Sequence, residues 1–276
     1  MRFRIPFLFF IVLLRAVPSF GASLSVIFYD NRFGTLDDAT GAYTQVGTLP
    51  VTASGGIAAL NGLLYLEDFG NNLYSVDSVT GAAHLTGNTG LNLSLAVFGG
   101  GQNGLFEIDY ASNLYKIDAA TGKASLIGST GLAANNGYYD TSLSTDGISL
   151  FYTAGRAGVN DELYSISTIT GRATDLGSTG ITGIAGSAFV NGTLELYQYG
   201  QATNYIYSAV AGSTDFVRGA RLTTGIIDGG AIARSLSTSA STESVPEPGT
   251  FWQSLALALP IMLALRNSDR NPRRSL

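Results

Sequence analysis

The chain has 276 residues, 45% of them hydrophobic and only 13% charged, with 35 glycines, one histidine and no cysteine. That profile excludes an intrinsically disordered chain, which needs low hydrophobicity and high net charge. It also excludes a disulfide framework, a thiol nucleophile and a cysteine-based zinc site. The formal charge of −5 is unevenly placed: the terminal segments carry +5, and residues 24–244, with 8 bases against 18 acids, carry −10. An acidic body without a basic stripe repels phosphate backbones, so nucleic acid is not an expected partner.

The chain opens with a short basic region (Arg2, Arg4), an apolar run over residues 5–14 and a small-residue stretch over residues 16–23. This three-part layout predicts a secretory signal peptide, residues 1–23, drawn as an N-terminal signal helix too short to span a membrane. Two cleavage points satisfy the small-residue requirement, after Gly21 (with Ser19 upstream) and after Ser23.

Residues 24–235 repeat. LYSVDSVTGAAHLTGNTG begins at Leu73, LYKIDAATGKASLIGSTG at Leu114 and LYSISTITGRATDLGSTG at Leu163. A degenerate copy precedes them at Leu36, and a fifth begins at Ile206. The Thr-Gly glycine and its equivalents fall at Gly41, Gly81, Gly122, Gly171 and Gly212, at intervals of 40, 41, 49 and 41 residues. Upstream in each period, Asn61-Gly62, Asn103-Gly104, Asp146-Gly147 and Asn191-Gly192 sit between apolar runs. Such pairs supply the positive φ angles of tight hairpin turns.

Each period therefore reads as four short strands, the blade of a β-propeller at ~40 to 45 residues per blade. SLSVIFYD, at the start of the mature chain, matches a second strand, and IIDGGAIARS (226–235) matches a first strand. The prediction is an all-β propeller of about five four-stranded blades, four continuous and one completed by both chain ends. An open sandwich or a solenoid is the alternative. The body resembles the broad group of propellers whose blades carry an LYxIDxxTGxxxxxG pattern, which implies a shape more than an activity. Quinoprotein dehydrogenases have similar-looking blades with tryptophan-docking motifs, but the one tryptophan here is Trp252, in the tail.

After a Ser/Thr-rich linker (236–244) come Pro246, Glu247 and Pro248, an apolar segment over 251–265 and Arg266, Arg270, Arg273 and Arg274. Residues 245–276 resemble the PEP-CTERM sorting signal of exopolysaccharide-producing bacteria. The resemblance implies that Pro246, Glu247 and Pro248 form the sorting motif. It also implies that the apolar segment, drawn as a C-terminal hydrophobic helix, holds the chain transiently in the inner membrane for an exosortase-type partner. A terminal arginine cluster stays cytoplasmic, which leaves a body exported first tethered outside. Fifteen residues interrupted by Pro260 fall short of the ~20 of a comfortable span, as suits a transient anchor.

Candidate sites divide by position. Asp37, Asp77 and Asp118 share one repeat position, where calcium ligation competes with a turn role; equivalent positions in successive blades cannot converge on one ion, which favours the turn. Tyr65, Tyr74, Tyr115, Tyr152, Tyr164, Tyr197 and Tyr207 recur with the strands and read as packing between blades. The insertion over 132–140 is the expected ligand loop, through Asn135, Asn136, Tyr138, Tyr139 and Asp140. His84, the one histidine, falls in an outer strand and reads as solvated. Glu67, Glu107, Glu162 and Glu195 could supply paired carboxylates, but two of the four differ in phase and nothing in the sequence brings a pair together. The sequence therefore predicts an exported propeller with no catalytic residues, no cofactor and no metal. It would bind extracellular polysaccharide or surface proteins, with a polysaccharide-active hydrolase or lyase as the alternative.

Overall fold

A computed structural model describes residues 22–28, 30–91, 97–101, 103–133, 140–156 and 158–223. All regular structure among them is β. Blade 1 comprises β1 (Ser23–Ile27), β2 (Arg32–Asp37) and β3 (Tyr43–Thr48). Blade 2 is β4 (Ala53–Leu60), β5 (Leu63–Asp68), β6 (Asn72–Val76) and β7 (Ala83–Asn88), and blade 3 is β8 (Val97–Gly101), β9 (Gly104–Ile108), β10 (Asn113–Ile117) and β11 (Ala124–Ser129). Blade 4 is β12 (Asp140–Thr145), β13 (Ser149–Gly155), β14 (Glu162–Ser167) and β15 (Ala173–Ser178), and blade 5 is β16 (Ile184–Val190), β17 (Thr193–Gln198), β18 (Tyr205–Val210) and β19 (Val217–Arg221). Each is an antiparallel meander in chain order.

These sheets form a five-bladed β-propeller. β4 lies against β8, β8 against β12 and β12 against β16, which makes the first strand of blades 2 to 5 the inner one. Such a small ring crowds its axis, and the inner strands are accordingly built from small residues, as in ASGGIAAL and VFGGG. A Cβ on Gly99 would stand 2.6 Å from the Leu143 carbonyl oxygen of the next blade. β1 pairs with β2 in the second-strand position, as the offset start predicts. The first strand expected from residues 226–235, like the signal and hydrophobic helices and the sorting segment, lies outside the described residues.

The core consists of five separate clusters, one per interface between blades. Ile27 and Phe33 meet Ile57, Leu64 and Leu66 between blades 1 and 2; Ala58, Tyr65 and Leu73 meet Leu105 and Ile117 between blades 2 and 3. Phe106 and Leu114 meet Leu143 and Tyr152 between blades 3 and 4, and Phe151 and Leu163 meet Leu194 and Leu196 between blades 4 and 5. Leu24, Val26 and Leu36 meet Val190, Tyr197 and Ile206 and so close blade 5 onto blade 1. Each fully buried Leu, Ile or Phe contributes about 1.5–3 kcal/mol.

The repeated motif serves two interfaces at once, because successive strand residues point to opposite faces. Leu114 packs toward blade 4, whereas Tyr115 and Ile117 pack toward blade 2. The seven strand tyrosines all belong to these clusters, at their centres or edges, in agreement with a packing role.

The two glycines of the repeat have a job beyond turning the chain. In every blade a bulge separates the last two strands, as where Leu114 pairs with Gly128 but Tyr115 with Leu126. Except between blades 4 and 5, where a Cβ on Gly177 or Gly212 would meet nothing within 4 Å, that bent strand receives the Thr-Gly turn of the following blade, backbone on backbone. A Cβ on Gly128 would lie 2.5 Å from the Thr170 carbonyl oxygen, and one on Gly171 would lie 2.8 Å from the carbonyl oxygen of Gly128. Inter-blade hydrogen bonds accompany the contact: Ala124 N–H donates to Thr89 O at 3.2 Å and Ala173 N–H to Thr130 O at 2.9 Å. Ring closure uses the same zone, with the Thr223 N–H and hydroxyl donating to Gly41 O at 3.1 and 3.0 Å.

Gly128→Ala therefore destabilises the protein by about 1–3 kcal/mol, the range for forced overpacking. Leu126→Ala, at a side chain 63% exposed two residues away, changes stability by less than about 0.5 kcal/mol. Urea titration followed by circular dichroism compares them; equal effects would contradict the close-approach role.

Candidate functional site

Antiparallel order puts the turns between second and third strands, together with the blade-to-blade connections, at one end of the ring. The turns between first and second and between third and fourth strands lie at the other. The first of these ends carries the candidate site, in two layers.

The outer layer is aromatic. Phe69 and Tyr110 occupy one turn position in blades 2 and 3 and are 45% and 38% exposed. Tyr199 holds the equivalent position in blade 5 and is half-buried. Below Phe69 and Tyr110 the turn is locked by an aspartate; the blade 5 turn has Gln198 in that place, its amide donating to Thr182 O at 3.1 Å. Asp68 accepts from the N–H groups of Gly70 and Asn72 at 2.8 and 2.9 Å and from the Tyr74 hydroxyl at 3.0 Å. Asp109 repeats the arrangement with Asn113 N–H at 2.7 Å and the Tyr115 hydroxyl at 3.1 Å. Rings presented on rigid turns can stack on a flat apolar face of a ligand, a sugar ring among them.

The connection that contains the insertion opens at this same end. Asn135, Asn136, Tyr138 and Tyr139 lie outside the described residues; Asp140 begins β12, its backbone paired with Gly155.

The inner layer is a carboxyl pair. Glu67, near the end of β5, and Glu107, in β9, meet between blades 2 and 3 at 1% and 0% exposure. The Thr89 hydroxyl donates to Glu67 Oε1 at 3.0 Å. Burial pushes the Glu107 carboxyl up to about 9, and the charge of Glu67 beside it pushes the same way. Glu67 is raised too, by burial, with hydrogen bonds from Glu107 and Thr89 opposing. At neutral pH the two carboxyls therefore share a proton, which serves as the donor between oxygens that otherwise only accept.

The register explains the meeting. Glu67 pairs with Leu73, as Ile27 pairs with Phe33, whereas Glu107 pairs with Tyr115, as Leu66 pairs with Tyr74. The two glutamates thus stand one residue apart in the repeat, so one points forward and the other back. Their phase difference, which argued against pairing in the sequence, is what makes them face each other. The equivalent pairs elsewhere are Ile27 with Leu66, Ile108 with Tyr152, Thr153 with Leu196, and Tyr197 with Val26. Only blades 2 and 3 place two acids there.

A second acidic contact, at the opposite end, joins blades 5 and 1. Glu195, held by a hydrogen bond from the Tyr197 hydroxyl, approaches Asp38. Burial, with Asp38 adding to it, raises Glu195 to about 7.

The remaining candidates take structural places. Asp77 Oδ1 accepts from the Val79 and Thr80 N–H groups at 2.9 and 2.8 Å, Asp37 Oδ1 from Thr40 N–H at 2.8 Å and Asp118 Oδ1 from Ala120 N–H at 2.8 Å. These bonds hold all three carboxyls below their ordinary range. His84 is exposed on the outer β7, and Glu162 is half-buried at the start of β14, apart from the pair. Among the described residues no group of three or more His, Cys, Asp or Glu could hold a metal.

Neither a family model nor a curated protein matches the chain. Among solved structures, the fold is similar to a chain in a crystal structure of a nidogen/laminin complex. There the TM-score is 0.51 at 12% identity, over 77% of this chain and 82% of that one. BamB from Moraxella catarrhalis is similar with a TM-score of 0.36 at 12% identity, over 70% of this chain and 56% of that one. The likeness concerns propeller architecture.

Because Glu107 holds its proton from its ordinary 4.5 up to about 9, the folded chain binds more protons than the unfolded chain across that window. Stability contributed by the shared proton is full below pH 4.5 and is lost as pH rises through the window, by at most about 1.4 kcal/mol per pH unit. Glu107→Gln keeps a donor without the charge, so its melting temperature falls less between pH 5 and 9 than that of the parent chain. Thermal melts at pH 5, 7 and 9 compare the two; parallel curves would contradict a shared proton.

Proposed function

We propose that this chain is exported and that its propeller acts at the cell surface or in the extracellular matrix as a binding or structural module. It reaches that place through the C-terminal signal, with Pro246, Glu247 and Pro248 presented to an exosortase-type enzyme while the segment 251–265 holds the chain in the inner membrane. The observation that carries a binding role is the rim of Phe69, Tyr110 and Tyr199, aromatic side chains brought to one end of the ring, the first two on turns locked by aspartates. Asn135, Asn136, Tyr138, Tyr139 and Asp140, in the stretch that leads from β11 into β12, are further candidates for ligand contact. The ligands that suit the rim are extracellular polysaccharide, through stacking on sugar rings, or a surface protein. The structural likeness to a chain in the nidogen/laminin complex is in keeping with a protein partner.

Hydrolysis of a polysaccharide by the usual two-carboxyl route needs carboxylates that reach a glycosidic bond. Glu67 and Glu107 are sealed between blades, and Glu195 is nearly so at the other end of the ring. Their placement supports binding without turnover.

Two measurements test this reading. A glycan array probed with residues 22–235 retains polysaccharide without releasing reducing ends or unsaturated products, and Phe69→Ala with Tyr110→Ala weakens retention about 30- to 150-fold, at ~1–1.5 kcal/mol per ring. Product release would favour the enzymatic alternative, and unchanged retention would remove the rim from the site. In cells, Glu247→Ala leaves the chain in the inner-membrane fraction while the parent reaches the surface; identical distributions would overturn the sorting role.

A further inference from the structure

Ala22 stands just before β1 and is 7% exposed, fixed on both sides of its peptide unit. Its N–H donates to Asp38 Oδ1 at 2.6 Å, and its carbonyl accepts from Asp38 N–H at 3.1 Å. Asp38 in turn approaches Glu195 of blade 5, on which the Tyr197 hydroxyl closes. The Ala22 nitrogen thus meets a carboxylate that is itself in contact with Glu195 and, through it, with the Tyr197 hydroxyl, at the interface that closes the ring. The ion pair found among the described residues joins Arg32 to Asp30, so no described cation offsets Asp38 and Glu195. An amide at this nitrogen supplies one donor and no charge, whereas a free α-ammonium supplies three donors and a full positive charge. Paired acids lacking a cation are costly when buried, and a cation within hydrogen-bond reach reverses much of that cost.

We propose that export processing hydrolyses the peptide bond before Ala22, and that the freed ammonium of Ala22 is the cation that completes the Asp38–Glu195 contact between blades 1 and 5. Water is consumed, a carboxylate forms on Gly21 of the released peptide and an ammonium on Ala22. The inference rests on the export reading above. Ser19 and Gly21 meet the small-residue requirement for this bond. Cleavage after Ser23, the other point the sequence allows, removes Ala22 with both its ties and the first residue of β1. It also places the new charge on Leu24, which is fully buried in the apolar cluster between blades 5 and 1. Folding opposes that outcome.

The full chain, expressed in an exporting bacterium, is recovered from each fraction and its N-terminal peptide identified by mass spectrometry. A start at Ala22 is expected. A start at Leu24 overturns the inference and leaves export standing, whereas a chain that keeps Met1 in the cytoplasm overturns both. A second measurement uses protein beginning at Ala22, compared with its α-N-acetylated form and with Asp38→Asn. The α-amino group titrates above its ordinary ~8 and returns toward that value in Asp38→Asn, and acetylation lowers the melting temperature by about 3 °C. An α-amino group that titrates near ~8 in both proteins overturns the role given to Ala22.

Discussion

The contact of one blade's backbone on the next is the constraint from which the rest of the structure follows. A propeller has no single core; here five apolar clusters each belong to two sheets. A sheet can bury both faces only if its neighbours come close along the whole radius. At the axis, glycine, alanine and serine in the inner strands allow this. At the periphery, Gly128 and Gly171 do so by letting a bulged outer strand and a Thr-Gly turn meet without intervening side chains. The glycine excess of the chain is thus a property of its interfaces as much as of its turns.

Against that regular background, the acids between blades are departures from the repeat. Four of the five equivalent contacts hold aliphatic or aromatic side chains or one threonine, but Glu67 and Glu107 place two carboxyls where desolvation penalises charge. The Thr89 hydroxyl satisfies Glu67 Oε1, whereas Glu67 Oε2 and both Glu107 oxygens have no donor beyond the proton that the pair holds. Glu195 and Asp38 meet the same problem at the closing interface, with Tyr197 and the Ala22 nitrogen as donors. Both contacts tie the ring to the protonation state of a few buried groups. The exposed aromatic turns are separate from them, above the first pair.

Much of the architecture is legible in the sequence, because a blade repeats its instructions. The period of about 40 residues, the Asn-Gly and Thr-Gly turns and the opening on a second strand all translate directly into β1 to β19. The turn role of Asp37, Asp77 and Asp118 follows from chemistry local to four residues. What stayed hidden depends on neighbours far apart in the chain. Glu67 and Glu107 meet because a one-residue difference in phase, read within one strand, reverses direction across an interface. The aromatic rim was missed for a different reason: Phe69, Tyr110 and Tyr199 stand outside the LYxID motif, in turns where only the shared position in the fold relates them.

Closure of the ring between Gly41 and Thr223 is the central claim, and native-state hydrogen exchange tests it most directly. The Thr223 amide donates across the closing interface from the preceding blade, and the Ala124 and Ala173 amides donate across internal ones from the following blade. A closed ring predicts that all three exchange only through global unfolding, with equal free energies and equal denaturant dependence. Rapid exchange at Thr223, with Ala124 and Ala173 still protected, would show blades stacked in an open array and would contradict the account.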